Sequence, residues 1–170
     1  MLIDIITDLH ELETYGDDIL ECCRNNPQIF DYQHPINKDN PDEILNSIAW
    51  YIDDAHSMIH GIFSDDRKFL FGFIIYENIR MTDDGNSAQL HLCSSKGIWG
   101  KDFLILYKSI LRTSIFNSLY AIMPSCCRGA ITLCKNLGFK KTGYIPKSIP
   151  YVNTKGKVKM FDQFIYSYTK

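Results

Sequence analysis

A short segment with two glycines precedes an expected helix and could bind an anion. The segment, residues 95–100, reads SKGIWG, and the helix is expected over residues 101–116. The start of a helix leaves backbone N–H groups unpaired and carries a partial positive charge, which suits a phosphate group. Glycine also lets the backbone approach an anion closely. An ordinary strand-to-helix connection would carry the same pattern, so the segment alone leaves both interpretations open.

A second stretch, residues 130–144, reads AITLCKNLGFKKTGY. It predicts a helix that ends at Gly138, then an aromatic residue that enters a strand, then Gly143 within that strand. His56 and His60 lie four residues apart near the start of another expected strand. That spacing would separate them by about 13 Å on a strand, so they predict no metal site.

The elements around these segments follow from periodicity and turn residues. Residues 2–7 predict a strand, residues 8–24 a helix broken near Gly16, residues 25–40 a loop, and residues 41–55 a helix. The elements expected after them are strands 56–63, 68–80 and 87–93, helix 101–116, strand 118–124, helix 126–138, and strands 139–146 and 157–168. The order β-α-α-β-β-β-α-β-α-β-β predicts an α/β or α+β fold with a mostly antiparallel sheet and one parallel crossover. The length of 170 residues predicts a single domain, residues 1–170.

The composition is that of an ordinary globular protein, with 45% hydrophobic and 22% charged residues. The net charge of -2 gives no reason to expect a nucleic-acid partner. Neither a signal peptide nor a run long enough to span a membrane is expected. Four of the six cysteines form adjacent pairs without metal-ligand spacing, which predicts reduced, structural thiols. We therefore expect a cytoplasmic protein.

Together, the two motifs and the element order resemble the GNAT superfamily of acetyl-CoA-dependent N-acetyltransferases. The late helix of that family commonly reads N-x-x-A-x-x-L-Y-x-x-x-G-F, and a K-x-x-G strand follows it. The matching residues here are Ala130, Leu133, Gly138, Phe139 and Gly143. Cys127 and Cys134 replace the asparagine and the tyrosine of the family, and the glycine spacing of the phosphate loop is altered. The chain is similar in these departures to phage-encoded GNAT-like proteins, an origin that its Asn-, Ile- and Lys-rich composition would suit.

The resemblance implies acetyl-CoA as co-substrate and a GNAT-like sheet flanked by helices. In the family, the pantetheine arm pairs with the strand before the phosphate loop, here residues 89–93, and loop amides hold the pyrophosphate. The implied cofactor-binding residues are Leu92, Cys93, Lys96, Gly97, Ile98, Trp99, Gly100, Lys101, Asp102 and Cys127. Lys96 and Lys101 would add positive charge, although a solvated loop would carry lysines too, and Asp102 would oppose the phosphate.

The reaction that the resemblance implies is direct attack of an amine on the thioester carbonyl. His91 is the titratable residue on the strand that would face the thioester, and it could accept the amine proton. A half-buried structural histidine would occupy the same position. Cys134 stands where the family has the tyrosine that protonates the thiolate, but a small core cysteine explains it equally. Glu77 and the pair Asp83-Asp84 could attract a cationic acceptor or could only solvate a turn.

The sequence leaves three functions open. One is an N-acetyltransferase that moves an acetyl group to an amine of a small molecule or a protein, without a metal. The second is a GNAT-fold structural or interaction protein, such as a phage assembly or host-interaction protein, with weak or no catalysis. The third is a small regulatory domain that binds CoA without turnover. Gly97 and Gly100 favour the first function, and the replaced asparagine and tyrosine favour the second. Aromatic residues of the last strand could form a homodimer or protein-partner surface, or could cover the core.

Overall fold

The computed structural model describes residues 1–26, 40–95, 101–152 and 157–170 of the chain. The helices in these ranges are α1 (Leu9–Thr14), α2 (Gly16–Asn25), α3 (Pro41–Asp53), α4 (Lys101–Thr113) and α5 (Arg128–Leu137). The strands are β1 (Leu2–Ile6), β2 (Met58–Phe63), β3 (Leu70–Thr82), β4 (Gly85–Ser94), β5 (Ser118–Pro124), β6 (Lys140–Val152) and β7 (Val158–Thr169). The predicted element order is confirmed, and the predicted break near Gly16 separates α1 from α2.

The strands of the described residues form one sheet in the order β1-β2-β3-β4-β5-β7-β6. Strands β4 and β5 pair in parallel, with Ser87 opposite Ser118 and Gln89 opposite Tyr120. The pairs β1–β2, β2–β3, β5–β7 and β6–β7 are antiparallel. The prediction of a mixed, mostly antiparallel sheet with one parallel crossover is therefore confirmed.

The chain divides into two compact units, residues 1–80 with 90–103, and residues 81–89 with 104–170. Strands β3 and β4 contribute residues to both units. The sequence-based expectation of a single domain stays a prediction.

The core of the first unit is formed by α1, α2 and α3 with strands β2 and β3, the end of β1 and the end of β4. Its residues are Ile6, Leu12, Tyr15, Ile19, Leu20, Cys22, Cys23, Ile44, Ile48, Tyr51, Ile59, Phe63, Leu70, Phe73, Ile75 and Cys93. Helix α3 begins as its sequence predicts: Asn40 Oδ1 accepts a hydrogen bond from the Asp42 amide at 3.1 Å, and Pro41 occupies the first turn. This start directs Ile44, Ile48 and Tyr51 into the core.

The second unit has a core of its own. Its largest buried side chains include Tyr107, Phe116, Leu119, Leu137, Phe139 and Tyr166. Helix α5 ends at Gly138, whose φ of 99° is in the left-handed region, as the motif predicts. Phe139 then enters the sheet and packs its ring 5.4 Å from the ring of Tyr168.

Strand β6 extends to Val152, so the predicted end at residue 146 is wrong. Pro146 lies where the register with β7 shifts between Ile145 and Ile149, and β6 is an edge strand of the sheet. Proline is tolerated at a bulge and on an edge strand because no ladder hydrogen bond is lost there. Pro146 was expected to end the strand, but β6 continues past it.

Two other boundaries also differ from the prediction. The turn expected over residues 81–86 is reduced to Asp83 and Asp84, because β3 continues to Thr82 and β4 begins at Gly85. His56 precedes β2 instead of starting it, and its carbonyl accepts a hydrogen bond from the Ile79 amide at 2.9 Å. The loop expected over residues 25–40 lies mostly outside the described residues.

Within the described ranges, no helix combines the length and the apolar character that a membrane span requires. The six cysteines are free thiols, and Cys126 is exposed whereas the other five are buried.

Candidate functional site

The C-terminal end of β4 carries three of the candidate residues that the structure describes, His91, Leu92 and Cys93. His91 and Leu92 are half-buried, and Cys93 and Ser94 are buried. On the neighbouring strand β3, Gly72 allows a very close approach of β4, since a Cβ there would lie 2.6 Å from the Cys93 carbonyl oxygen. The path of β4 beside His91 therefore depends on a glycine of β3.

His91 lies against Glu77. The Nε2 atom of His91 lies 2.9 Å from Oε1 of Glu77, which is close enough for an ion pair when the imidazole is protonated. The side chains are only 12% and 9% exposed, so water screens the pair weakly. Glu77 is the charged residue of the buried run 70–77 on β3, and a buried carboxylate needs partners of this kind.

Tyr51 of helix α3 approaches the same carboxylate. Its hydroxyl is hydrogen-bonded to Glu77, and the residue is 3% exposed. Burial is the main cause that raises the pKa of Tyr51 above its usual value, and the negative charge of Glu77 raises it further. Tyr51 therefore stays a neutral O–H donor, and three elements, α3, β3 and β4, meet at Glu77.

The end of β4 is held from two sides. Asn26, directly after α2, donates from Nδ2 to the Ser94 carbonyl at 2.8 Å and to the Cys22 carbonyl at 2.7 Å. The Ser95 amide donates to the Phe71 carbonyl of β3 at 3.0 Å. Because the last of these bonds is made by Ser95, hydrogen bonds hold the backbone up to the first residue of the glycine segment.

Residues 96–100 of the glycine segment lie outside the described residues, and so does the side chain of Asp102. Helix α4 starts at Lys101, directly after the segment, as predicted, and Lys101 is exposed. A helix start at this place offers unpaired backbone N–H groups. The prediction of a phosphate site over these residues stays a prediction.

The two cysteines of the late helix motif lie in the second unit. Cys127 is the N-cap residue of α5 and is 7% exposed. Cys134 faces inward from α5, and burial raises the pKa of its thiol to about 12. The thiol of Cys134 therefore keeps its proton at neutral pH. The structure thus brings His91, Leu92, Cys93 and Lys101 into one unit, and Cys127 and Cys134 into the other.

Sequence reasoning anticipated Glu77 only as an attractor for a cationic acceptor, and it missed Tyr51 and Asn26. Glu77 is a single charged residue inside the apolar run 70–77, and this position could have indicated that it has a partner at a functional site. Tyr51 follows Ile44 and Ile48 on the apolar face of α3, so its sequence position indicates only a core residue. The pair Asp83-Asp84 occupies an exposed turn.

Neither a protein-family model nor a curated protein matches the chain. Solved structures do match it. A spermidine N-acetyltransferase from Vibrio cholerae in complex with CoA and spermine is 17% identical, with a TM-score of 0.69 over 99% of this chain and 94% of that chain. A probable acetyltransferase of the GNAT family from Chromobacterium violaceum is 11% identical, with a TM-score of 0.73 over 98% and 81% of the two chains. A microcin self-immunity acetyltransferase in complex with acetyl-CoA and AMP is 13% identical, with a TM-score of 0.66 over 99% and 92%.

These matches span nearly the whole chain, and the order of elements agrees with the sequence motifs. The chain therefore has the GNAT fold, and the predicted resemblance is confirmed at the level of the fold. Fold alone does not define an activity, because function depends on the site.

Proposed function

We propose that the protein is an acetyl-CoA-dependent N-acyltransferase that moves an acetyl group to an amine of a small molecule or a protein. The observation that carries the proposal is the largely buried contact between His91 and Glu77. His91 lies on β4, the strand that leads to the glycine segment and α4, and Glu77 lies on β3. Two of the similar structures contain CoA or acetyl-CoA, and one of those enzymes is a spermidine N-acetyltransferase with bound spermine. A polyamine is therefore the first acceptor to test.

Acetyl-CoA would be held by the end of β4 and the segment that follows it. The backbone of Leu92 and Cys93 would pair with the pantetheine arm. The amides of residues 96–102 and the charges of Lys96 and Lys101 would hold the pyrophosphate. Cys127, at the position of the family's asparagine, stays a candidate cofactor contact. A cytoplasmic location belongs to the same proposal, since free thiols persist in a reducing compartment.

The proposed reaction needs one base and one acid. The neutral amine nitrogen attacks the thioester carbonyl carbon, a C–N bond forms, and the C–S bond breaks as the tetrahedral species collapses. The amine loses one proton to His91, and the departing CoA thiolate gains one proton, so acetyl-CoA and amine give N-acetylamine and CoA thiol. Positioning of the two reactants supplies much of the acceleration, and general base catalysis adds about 10²–10⁴-fold.

Cys134 is the candidate acid for the thiolate. Its thiol is protonated at neutral pH, because burial raises its pKa to about 12. The protonated imidazole of His91 is the competing acid for the same step. Substitution of Cys134 by serine and by alanine separates the two, since serine keeps a hydroxyl donor and alanine removes it.

Titration calorimetry of the reduced protein with acetyl-CoA tests the proposal. Gly100→Glu places bulk and negative charge in the proposed phosphate segment and should abolish binding. Ile105→Glu is the matched control, because Ile105 is 57% exposed on α4 and the substitution adds the same side chain. Micromolar binding that only Gly100→Glu abolishes would support the cofactor site, and absence of binding at millimolar acetyl-CoA would overturn it.

An acceptor screen that begins with spermidine and spermine would follow. Free CoA thiol measures turnover, and His91→Ala should lower kcat by about 10²–10⁴-fold with little change in the affinity for acetyl-CoA. Unchanged kcat in His91→Ala would remove His91 from the mechanism.

The replaced motif residues favour a second candidate, a GNAT-fold interaction protein with weak or no catalysis. Cys134 stands in place of the family's tyrosine, and it is only 5% exposed. A folded protein that does not bind acetyl-CoA in the titration above would support this candidate. The partner would then be sought among proteins, including a second copy of the chain.

A further inference from the structure

We propose that the outer face of α3 is a docking surface for strands β6 and β7 of a second copy of the chain. The contact would join the first unit of one molecule to the second unit of another. The inference goes beyond the proposed acetyl transfer and does not depend on it.

The first observation is the division of charge between the two units. Of the 20 Asp and Glu residues, 17 belong to the first unit, and of the 18 Lys and Arg residues, 11 belong to the second. The small net charge of -2 is therefore divided into -10 for the first unit and +8 for the second. Two copies of the chain thus attract each other when the first unit of one meets the second unit of the other.

The second observation is an exposed tryptophan on α3. Trp50 is 52% exposed, whereas the opposite face of the helix is buried in the core of the first unit. Glu43 and Asp53 are also exposed, seven positions before Trp50 and three positions after it. This spacing places the three side chains on the same side of the helix. The outer face of α3 is therefore acidic, with a large aromatic side chain between the carboxylates.

The third observation is the opposite character of one face of β6 and β7. Lys141 Nζ lies 3.5 Å from the centre of the Phe164 ring and 5.6 Å from the centre of the Tyr144 ring. Tyr144 is opposite Phe164 in the register of the two strands and is 58% exposed. Met160, which is 44% exposed, lies four residues before Phe164 on β7 and thus on the same face. This face combines a cation with exposed aromatic and apolar side chains.

The two surfaces complement each other in charge and in polarity. Trp50 supplies an aromatic anchor of the kind that dominates the energy of protein interfaces. Its ring would pack against Tyr144 and Met160, and its face attracts a cation such as Lys141. The carboxylates beside Trp50 would orient the approach and accelerate it. Because side chains make this contact, it requires no hydrogen bonds between strands of the two molecules.

A second copy fits these surfaces better than a nucleic acid does. A nucleic acid would be attracted to the second unit by its lysines and arginines. The -10 charge of the first unit would repel the same polyanion, and the carboxylates beside Trp50 would oppose any contact with phosphates. A copy of the chain carries both surfaces, so each finds its complement at equal concentration.

Sedimentation velocity of the whole chain, from micromolar to near-millimolar concentration, tests the proposal. We expect association in low salt, and a dissociation constant that rises about 10-fold or more in 1 M salt, where exposed charges are screened. Trp50→Ser should raise the dissociation constant by at least about 10-fold, as loss of a central interface residue does. Phe69→Ser is the matched control, because Phe69 is 56% exposed in the same unit and lies outside α3.

Charge reversal distinguishes this interface from general attraction between the units. Asp53→Lys and Lys141→Glu should each weaken association, and a chain with both changes should associate more tightly than either single variant. Glu13→Lys on α1 alters the charge of the first unit by the same amount and should have a smaller effect. Lys135→Glu on α5 is the corresponding control in the second unit, and both control residues are exposed.

A chain that stays monomeric in low salt would overturn the inference, and so would equal weakening in the controls. Labelled single-stranded DNA is the probe for the other occupant. If it binds a monomeric wild type and Lys141→Glu abolishes binding, the surface is for nucleic acid and the second copy is excluded. Thermal unfolding establishes that each variant is folded, and variants of α3 and of β6 test the same contact independently.

Discussion

Gly72 of β3 lies directly against the peptide group of Cys93 on β4. A Cβ at residue 72 would come 2.6 Å from the Cys93 carbonyl oxygen and 3.2 Å from the Cα of Ser94. Both neighbours are backbone atoms, so neither can rotate away as a side chain could. The strand that carries His91 therefore keeps its path only while residue 72 has no side chain.

We predict that Gly72→Ala lowers the free energy of unfolding by about 1–3 kcal/mol, as other overpacking substitutions do. Urea unfolding measures the change. Gly129→Ala is the matched control, because a Cβ at Gly129 of α5 would meet nothing within 4 Å. The control should gain up to about 1 kcal/mol from helix propensity. Equal stability of the wild type and Gly72→Ala would contradict the packing argument.

Asn26 joins the end of α2 to the end of β4. Its removal should lower both the stability of the protein and its affinity for acetyl-CoA. We predict that Asn26→Ala costs about 1–2 kcal/mol of stability, because the Ser94 and Cys22 carbonyls lose a donor. Acetyl-CoA should also bind more weakly, since the backbone before the glycine segment loses an anchor. Unfolding and calorimetry measure the two effects, with exposed Asn136→Ala on α5 as control. Weaker binding in the control as well would contradict the anchoring role.

His60 should make the stability of the protein depend on pH below neutrality. Burial lowers its pKa and outweighs the opposite effect of the Asp4 charge. Between the lowered pKa and the unfolded value of about 6.5, the unfolded chain binds more protons than the folded protein does. The free energy of unfolding therefore falls as the pH decreases through this window and levels off below it.

Urea unfolding at a series of pH values checks this prediction. His60→Phe keeps a ring beside Tyr76 and should show a smaller loss of stability in the same pH window. Parallel curves for the wild type and the variant would show that His60 does not cause the effect.

The thiols should differ strongly in reactivity. Cys126 is exposed, whereas Cys134 is 5% exposed with a pKa raised by burial to about 12. The thiolate is the reactive form, so we predict that iodoacetamide modifies Cys126 first in the folded protein. Mass spectrometry of timed samples measures the order, and a sample unfolded in urea is the control. Rapid modification of Cys134 in the folded protein would show that it is accessible to small molecules.

The sequence predicted the ends of helices well where a single capping residue determines the backbone conformation. Asn40 before Pro41 predicted the start of α3, and Gly138 predicted the end of α5. These signals are local, because a cap needs only a few neighbouring residues. Pro146 is the counterexample, since an edge strand with a shifted register tolerates a proline that would end an interior strand.

The pairing around Glu77 could not be predicted in the same way. Residues 70–77 are buried along nearly the whole run, so alternation gives no signal for the face on which Glu77 lies. Asn78 has a φ of 52°, which interrupts the regular strand directly after Glu77. Which residue of β4 meets Glu77 thus depends on strand register, and Tyr51 comes from a helix far away in the sequence.

The irregular edge strand β6 has a consequence for how molecules meet in solution. Pro146 and Pro150 offer no N–H group, and the Lys147 amide, at a φ of 44°, already donates to Asp162 at 2.8 Å. A strand of another chain would find no continuous row of donors and acceptors along this part of β6. We therefore expect this part of the open edge to resist pairing with a strand of another chain. The resistance would come from the backbone and would not change with salt concentration.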